Sequence, residues 1–393
     1  MGQTRLKKVK KDQQNRASTS SLTNDKEKLA PSSLLQAIPN NASGEPEACL
    51  VEVRSTSGRG LGLFATSKIF AGTILFSEPP LIRLTARDEG EGSTANGEEL
   101  KEQALRRCHK ALPVELRKSF RSLHDTQKPG FSKEKSIYYS NCYDLSWRSR
   151  RGGSAIGLMS SRINHSCCSP NAIMSFVDAE NLDSNGSDME AREEVMVWHA
   201  IKDIPRGKEV LSNYISVYQL AAQRCNELRM HYKFDCDCAA CKQEGYWANS
   251  DTRRRQMISY GRQVKQSEEA LTRIKAEFPC KGAETDEHTV DSPATERAND
   301  TLYLRSAAAK LEIECATSNL EKLADLLVKE GLQGNELAIV YKNLTKWSMR
   351  SGHLRAGSAW KEKHRQVCIT CFGASSQRVK EIDNWPQSWW LPK

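Results

Sequence analysis

The chain runs to 393 residues, with 27% charged and 38% hydrophobic positions and a formal charge of +9. No apolar stretch approaches the ~18 residues of a membrane span, and the basic, polar start lacks the apolar core of a secretion signal, so a soluble, non-secreted protein is expected. The positive balance favours acidic partners, chromatin among them, but no nucleic-acid-reading motif accompanies it, so specific nucleic-acid binding is not expected. The 13 cysteines are an odd number, and their densest cluster has metal-ligand spacing. That favours a reducing intracellular compartment, nucleus or cytoplasm, over a disulfide framework.

Residues 1–48 hold few large apolar side chains and read as a disordered basic tail, in which Arg5, Lys7, Lys8, Lys10 and Lys11 suit either a nuclear localisation signal or a solvated end. From Leu50 to Leu84 short apolar runs alternate with Gly-containing turns, which predicts a meander of short strands. Residues 88–98 read as a loop, and Glu99 to Leu123 carries helical spacing interrupted at Pro113. The strand pattern returns after Trp147, at Ala172 to Val177 and Val195 to Ala200, and a turn at Ile204 to Glu209 leads into a strand that delivers Tyr214. Beyond Cys241 the pattern is helical at Arg253 to Phe278 and Thr301 to Glu330, with a linker at 281–295 between them.

Three segments concentrate the chemistry: Asn164-His165-Ser166-Cys167-Cys168-Ser169-Pro170-Asn171, Glu209 to Tyr214, and Tyr232 to Cys241. Cys236, Cys238 and Cys241 form C-x-C-x-x-C, three thiols too close in sequence to face one core but well spaced to close on one zinc ion. A fourth ligand is needed, and Cys167 or Cys168 is the nearest dense source, which would draw Asn164, His165, Tyr214 and Phe234 around one cavity. A cysteine-hydrolase reading of the Asn-His-Cys grouping fails, because His165 and Cys167 are adjacent and lack a separate orienting partner. Cys368 and Cys371 make a lone C-x-x-C in a helical region, with no second pair to complete a metal site.

At these residues the sequence resembles the SET-domain protein methyltransferases, in particular the SET-and-MYND branch and its fungal relatives. The resemblance extends to Gly58-Arg59-Gly60-Leu61-Gly62-Leu63-Phe64-Ala65 and Glu78-Pro79-Pro80, and covers residues 50–85 and 137–241. One residue more than usual stands between the Asn-His pair and Pro170, which leaves the choice between Cys167 and Cys168 open. Only Cys108 lies between Phe64 and Pro129, so no MYND finger is expected in that interval.

The resemblance implies an α+β architecture: a β-rich SET domain over 49–241 with a knot-like crossing, a helical insertion at about 88–136 and a post-SET zinc segment at 232–241. A helix and linker at 242–293 and an α-helical C-terminal domain at 294–393 would follow. It also implies S-adenosylmethionine and Zn2+ as cofactors and, as partner, a protein carrying a target lysine, histone or non-histone, acted on by a monomer. Tyr214 would be catalytic. Donor contacts would come from Arg59, Gly60, Gly62, Leu63, Asn141, Ser161, Arg162, Asn164, His165, Tyr214, Tyr232 and Phe234. A catalytically silent SET scaffold that binds peptides is the rival reading.

Overall fold

A computed structural model of the chain describes residues 49–90, 97–146, 152–177, 194–277 and 302–385. The basic tail and the 281–295 linker read from the sequence lie outside these residues. Strands β1 (Val51–Thr56) and β2 (Gly60–Ala65) form an antiparallel hairpin. β3 (Ile74–Glu78) pairs with β9 (Val195–Ala200), which in turn pairs with β8 (Ala172–Val177). β4 (Ile82–Leu84), β5 (Tyr143–Asp144) and β6 (Ser154–Ile156) make a second small sheet with β6 in the centre. Alternation decides the faces: along β8 every second residue is buried, and Ala172, Met174 and Phe176 join Leu63, Leu75, Trp198 and Val210 in one core.

Between β4 and β5 the chain makes helices α1 (Gly97–Ala111), α2 (Val114–Arg121) and α3 (Lys133–Asn141). Pro113 separates the first two, as its missing N–H requires, and the Ser132 hydroxyl caps α3 by accepting from the Lys135 N–H. The insertion therefore reaches Asn141, a little beyond the expected boundary. Ala104, Leu105, Phe120 and Ile137 bury their side chains against Ile82, Leu84 and Ile156, so the insertion is seated on the second sheet.

The shortest pairing has the largest consequence for the site. β7 (Asn164–His165) runs parallel to β10 (Leu211–Ser212), with Asn164 beside Leu211 and His165 beside Ser212. Two of the three motif segments thus lie side by side. After β10 come α4 (Ala221–Tyr232), the short α5 (Ala239–Lys242) and the long α6 (Ser250–Glu277).

The sequence sets α6 apart as a helix before a linker, but Met257 and Leu271 pack with Leu320, Leu323, Leu337 and Leu344 of the next helices. α6 belongs to the helical body, because its apolar stripe has its partners there. That body continues through α7 (Ala307–Lys329), α8 (Asn335–Arg350), α9 (Leu354–Phe372) and α10 (Gln377–Asp383). Cys368 and Cys371 are buried on α9 among Ile201, Val379 and Ile382, where they serve as apolar packing. No helix among the described residues is long and apolar enough to cross a membrane.

Candidate functional site

The turn that feeds β7 is fixed by a buried carboxylate. Glu78, 5% exposed at the end of β3, accepts from the N–H groups of Met159 (3.0 Å) and Ser160 (2.7 Å) and from the Ser160 hydroxyl (2.5 Å). The Ser160 hydroxyl in turn accepts from the Trp198 indole N–H at 2.7 Å. Burial pushes the Glu78 carboxyl above its ordinary range, although its three donors pull the other way. The result is a rigid turn at Ser160–Arg162 that presents Asn164 and His165 in a single direction.

Asn164 meets a second carboxylate. Its amide donates to Glu209 Oε1 at 2.7 Å and to the Leu61 carbonyl at 3.2 Å, while Arg59 pairs with Glu209 Oε2 at 2.6 Å. A Cβ on Gly62 would stand 2.5 Å from Glu209 Oε1 and 3.0 Å from Asn164 Nδ2, which explains why that position of β2 is glycine. Asn171 braces the node from behind: its amide donates to the Glu209 carbonyl at 2.9 Å, and its own Oδ1 accepts from the Leu211 N–H at 2.8 Å. Glu209, Asn171 and Glu78 all stand inside the quoted motifs, yet sequence reasoning assigned none of them a role in the site. For Glu209 and Glu78, a carboxylate within a motif was the available signal. Leu63, by contrast, is fully buried in the core, with only its backbone on the β2 ladder, whereas Leu61 is 40% exposed beside Asn164.

Tyr214 is the hub of the aromatic side. Its N–H donates to His165 Nδ1 at 3.1 Å and its hydroxyl donates to the Ile163 carbonyl. Its ring centroid lies 5.2 Å from His165 and 5.0 Å from Tyr232, and His165 is 6.2 Å from Phe234. Burial pushes the Tyr214 phenol well above its ordinary range and that of Tyr232 up to about 12, so both are neutral hydroxyls at physiological pH. With its proton given to the Ile163 carbonyl, the Tyr214 oxygen can accept from an incoming N–H and orient it, but it is no phenolate base.

A cavity of about 570 Å³ opens in front of Tyr214. Of the residues singled out from sequence, Asn141, Ser161, Tyr214 and Tyr232 line it, while Leu332, Asn335 and Glu336 from the helical body form part of its wall. The Asn141 amide is tied to the His124 and Ile137 carbonyls, 2.7 Å each. The Ser161 hydroxyl donates to the Gly157 carbonyl at 2.6 Å. Arg59, Gly60, Gly62, Leu63, Arg162, Asn164, His165 and Phe234 are not on the cavity wall. Arg59, Gly62 and Asn164 gather at Glu209, and the His165 ring lies between those of Tyr214 and Phe234, 5.2 Å and 6.2 Å away.

The thiol corner adjoins His165. The sulfurs of Cys167, Cys236, Cys238 and Cys241 all fall within 4.8 Å of one another, with Cys167 at 3.8 Å from Cys236 and 3.5 Å from Cys241. A tetrahedral zinc with Zn–S bonds of about 2.3 Å needs sulfurs roughly 3.8 Å apart, so this donor set fits the metal. Of the Cys167–Cys168 pair, Cys167 is the one in the set. Of the two cysteines between which the sequence left the choice open, Cys168 lies outside that set. His165, whose Nδ1 is occupied by Tyr214, carries its proton on Nε2, 3.0 Å from the Cys167 sulfur. One histidine therefore links the thiol corner to the tyrosine.

Residues 60–215 match the family model of the SET domain. Histone-lysine N-methyltransferase set5 of Schizosaccharomyces pombe is 30% identical over 220 residues, 55% of this chain and 58% of that protein, so the chain spans little more than half of this relative's length. N-lysine methyltransferase SMYD2-B of Danio rerio is 37% identical over 79 residues, 20% of this chain and 14% of that protein. Among solved structures, the SET domain of LSMT bound to lysine and AdoHcy aligns over 86% of this chain and 89% of that one, at 11% identity and a TM-score of 0.33, a likeness too slight to add weight.

Proposed function

We propose that this chain, whose residues 60–215 form a SET domain related to the SET-and-MYND branch, is a protein-lysine N-methyltransferase that uses S-adenosylmethionine. The observation that carries the reading is the convergence on Tyr214: a neutral hydroxyl at the wall of a cavity, backed by the Asn164–Glu209–Arg59 node and by aromatic rings. The donor supplies an electrophilic methyl on a sulfonium. Everything else is alignment and desolvation.

A lysine amine with an ordinary pKa of ~10.4 must lose its proton before it can attack. The aromatic wall of Tyr214 and Tyr232 and a nearby sulfonium would both disfavour the ammonium, so the lysine would give its proton to solvent on entering the cavity and no protein base is required. Tyr214 orients the amine through its hydroxyl. Asn164, held by Glu209 and the Leu61 carbonyl, and the glycine-bearing backbone of β2 form the donor's side of the site, together with Asn141, Ser161 and Arg162. Zinc at Cys167, Cys236, Cys238 and Cys241 would hold Tyr232 and Phe234 in place. The protein substrate, histone or non-histone, would be met by a monomer in the nucleus or cytoplasm.

Tyr214→Phe is the decisive variant. It should keep the fold and the affinity for S-adenosylhomocysteine while turnover, read with labelled donor on a peptide array, falls on the order of a hundredfold. Parent-rate methylation by Tyr214→Phe would remove the tyrosine from the chemistry. A parent protein that binds neither donor nor donor product would instead favour the silent scaffold.

A further inference from the structure

Two arginines with almost no solvent exposure stand behind the thiol corner, Arg224 at 1% and Arg254 at 0%. Arg224 donates to the Ala240 carbonyl at 3.1 Å and lies 3.6 Å from the Cys241 sulfur. Arg254 does more. It donates to the Cys167 carbonyl at 2.8 Å, to the Val217 carbonyl, and to Glu330 Oε2 at 3.1 Å. Glu330, also fully buried, accepts from the Ser250 hydroxyl at 2.7 Å and from Arg253 Nε at 2.5 Å. Four thiolates around one Zn2+ carry a net charge of −2, and the two buried guanidiniums beside them offset it.

Glu330 ends α7, and the next residue continues the connection. Gly331 sits at φ +68°, where a side chain is strained, and a Cβ there would stand 2.5 Å from the Cys168 carbonyl. The Gly331 carbonyl accepts from Lys202 Nζ at 2.5 Å. Beyond this turn, Leu332, Gly334, Asn335 and Glu336 become cavity wall. The Cys167–Cys168 pair therefore divides its work: the first residue supplies a thiol and a carbonyl to the corner, and the second supplies the carbonyl on which the helical turn rests. Buried ion pairs are costly to desolvate, and the helical body already has its own apolar core, so the pair contributes position more than stability.

We propose that Arg254 and Glu330 are positioning residues that couple the thiol corner to the helical wall of the cavity. With metal held at Cys167, the Cys167 carbonyl is fixed, Arg254 and Glu330 carry that position to Gly331, and the Gly331 turn sets the place of Leu332 to Glu336. The coupling rests on the methyltransferase reading only in calling the cavity a substrate site, and its principal readouts need no methyl transfer.

The test uses the full chain after its zinc content has been measured. Chelation should raise amide hydrogen exchange at Leu332 to Glu336 together with that at Cys236 to Cys241, while β8 and β9 stay protected. Glu330→Gln should release zinc to a chromophoric chelator about tenfold faster, loosen the same wall, and raise the KM for a protein substrate while S-adenosylhomocysteine affinity stays at the parent value. Gly331→Ala, which leaves the ion pair untouched, should loosen the wall in the same way and guards against a Glu330 variant that fails to fold. The coupling is overturned if chelation loosens the thiol loop but leaves Leu332 to Glu336 unchanged, or if both variants show parental zinc release and parental exchange. Loss of methyl transfer alone counts against the proposed function, not against the coupling.

Discussion

In the β-rich half, strands of two to six residues meet across long sequence intervals, and the gaps between them are closed by single polar side chains such as Glu78, Asn171 and Glu209. In the helical half, α6 to α8 lie along one another over a continuous apolar face, with Leu320, Leu327, Leu344 and Trp347 buried in one cluster. The first arrangement concentrates precision in a few atoms. The second spreads stability over area, and one lost contact there is shared among many neighbours. A substitution should therefore disturb geometry in the β-rich half and total stability in the helical half.

Removal of the metal is the strongest way to break that contrast. Cys238→Ser, or chelation of the parent, should release zinc and unfold residues 232–242, read by metal analysis and limited proteolysis. Cys167→Ser should lose the metal as well, whereas Cys168→Ser should retain it, because only Cys167 belongs to the sulfur set. Well-folded, unchelated protein without zinc would end this reading.

Next in size is Leu344→Ala, a fully buried side chain in the helical core, which should cost about 2–5 kcal/mol in urea unfolding yet leave donor-product affinity at the parent value. Glu78→Gln should cost less, about 1–3 kcal/mol, because an amide cannot accept from all three donors, and here donor-product affinity should fall because the Ser160–Arg162 turn loosens. If the two variants changed affinity alike, the contrast between the halves would fail.

Glu78 also predicts a pH effect. Its folded pKa lies above the ordinary 4.5, so the folded chain holds this proton more tightly than the unfolded chain. The associated stability is present below pH 4.5 and is lost as pH rises through the folded value. Glu78→Gln should flatten that part of the stability profile. The smallest effect belongs to Glu268→Ala, whose partly exposed pairs with Lys346 (2.5 Å) and Arg350 (3.1 Å) should be worth less than about 1 kcal/mol.

The strands at Ala172–Val177 and Val195–Ala200 were legible because each is a short run rich in apolar and β-branched side chains, and the two flank an acidic, Gly- and Asn-containing turn. The thiol corner was legible from C-x-C-x-x-C spacing. The choice of Cys167 over Cys168 was not, because it depends on the path of a turn after β7 that sequence spacing does not fix. Glu209 and Asn171 stood in view inside motifs, but their roles exist only once β2, β7 and β10 are adjacent, and pairing partners cannot be read from a periodicity. The helical body was recognisable as pattern. Its attachment was hidden, since Arg254 and Glu330 look like ordinary solvated charges on helices until both are found buried.

The Arg59–Glu209 pair spans 150 residues of chain. Around it, the Ala65 N–H donates to the Lys208 carbonyl and the Val210 N–H to the Leu63 carbonyl, so the β1–β2 hairpin is completed by a segment made much later. At ribosomal speeds of roughly 5–20 residues per second, the hairpin waits on the order of ten seconds for its partner. During that interval Leu63 and Ala65, both fully buried in the finished molecule, have no core to enter. Nascent chains stalled before Ile204 should therefore be cut by protease within the hairpin, and chains stalled well beyond Tyr214 should resist. For this protein the order of synthesis makes the Arg59–Glu209–Asn164 node a late event, and it sets a window in which a chaperone would be most useful.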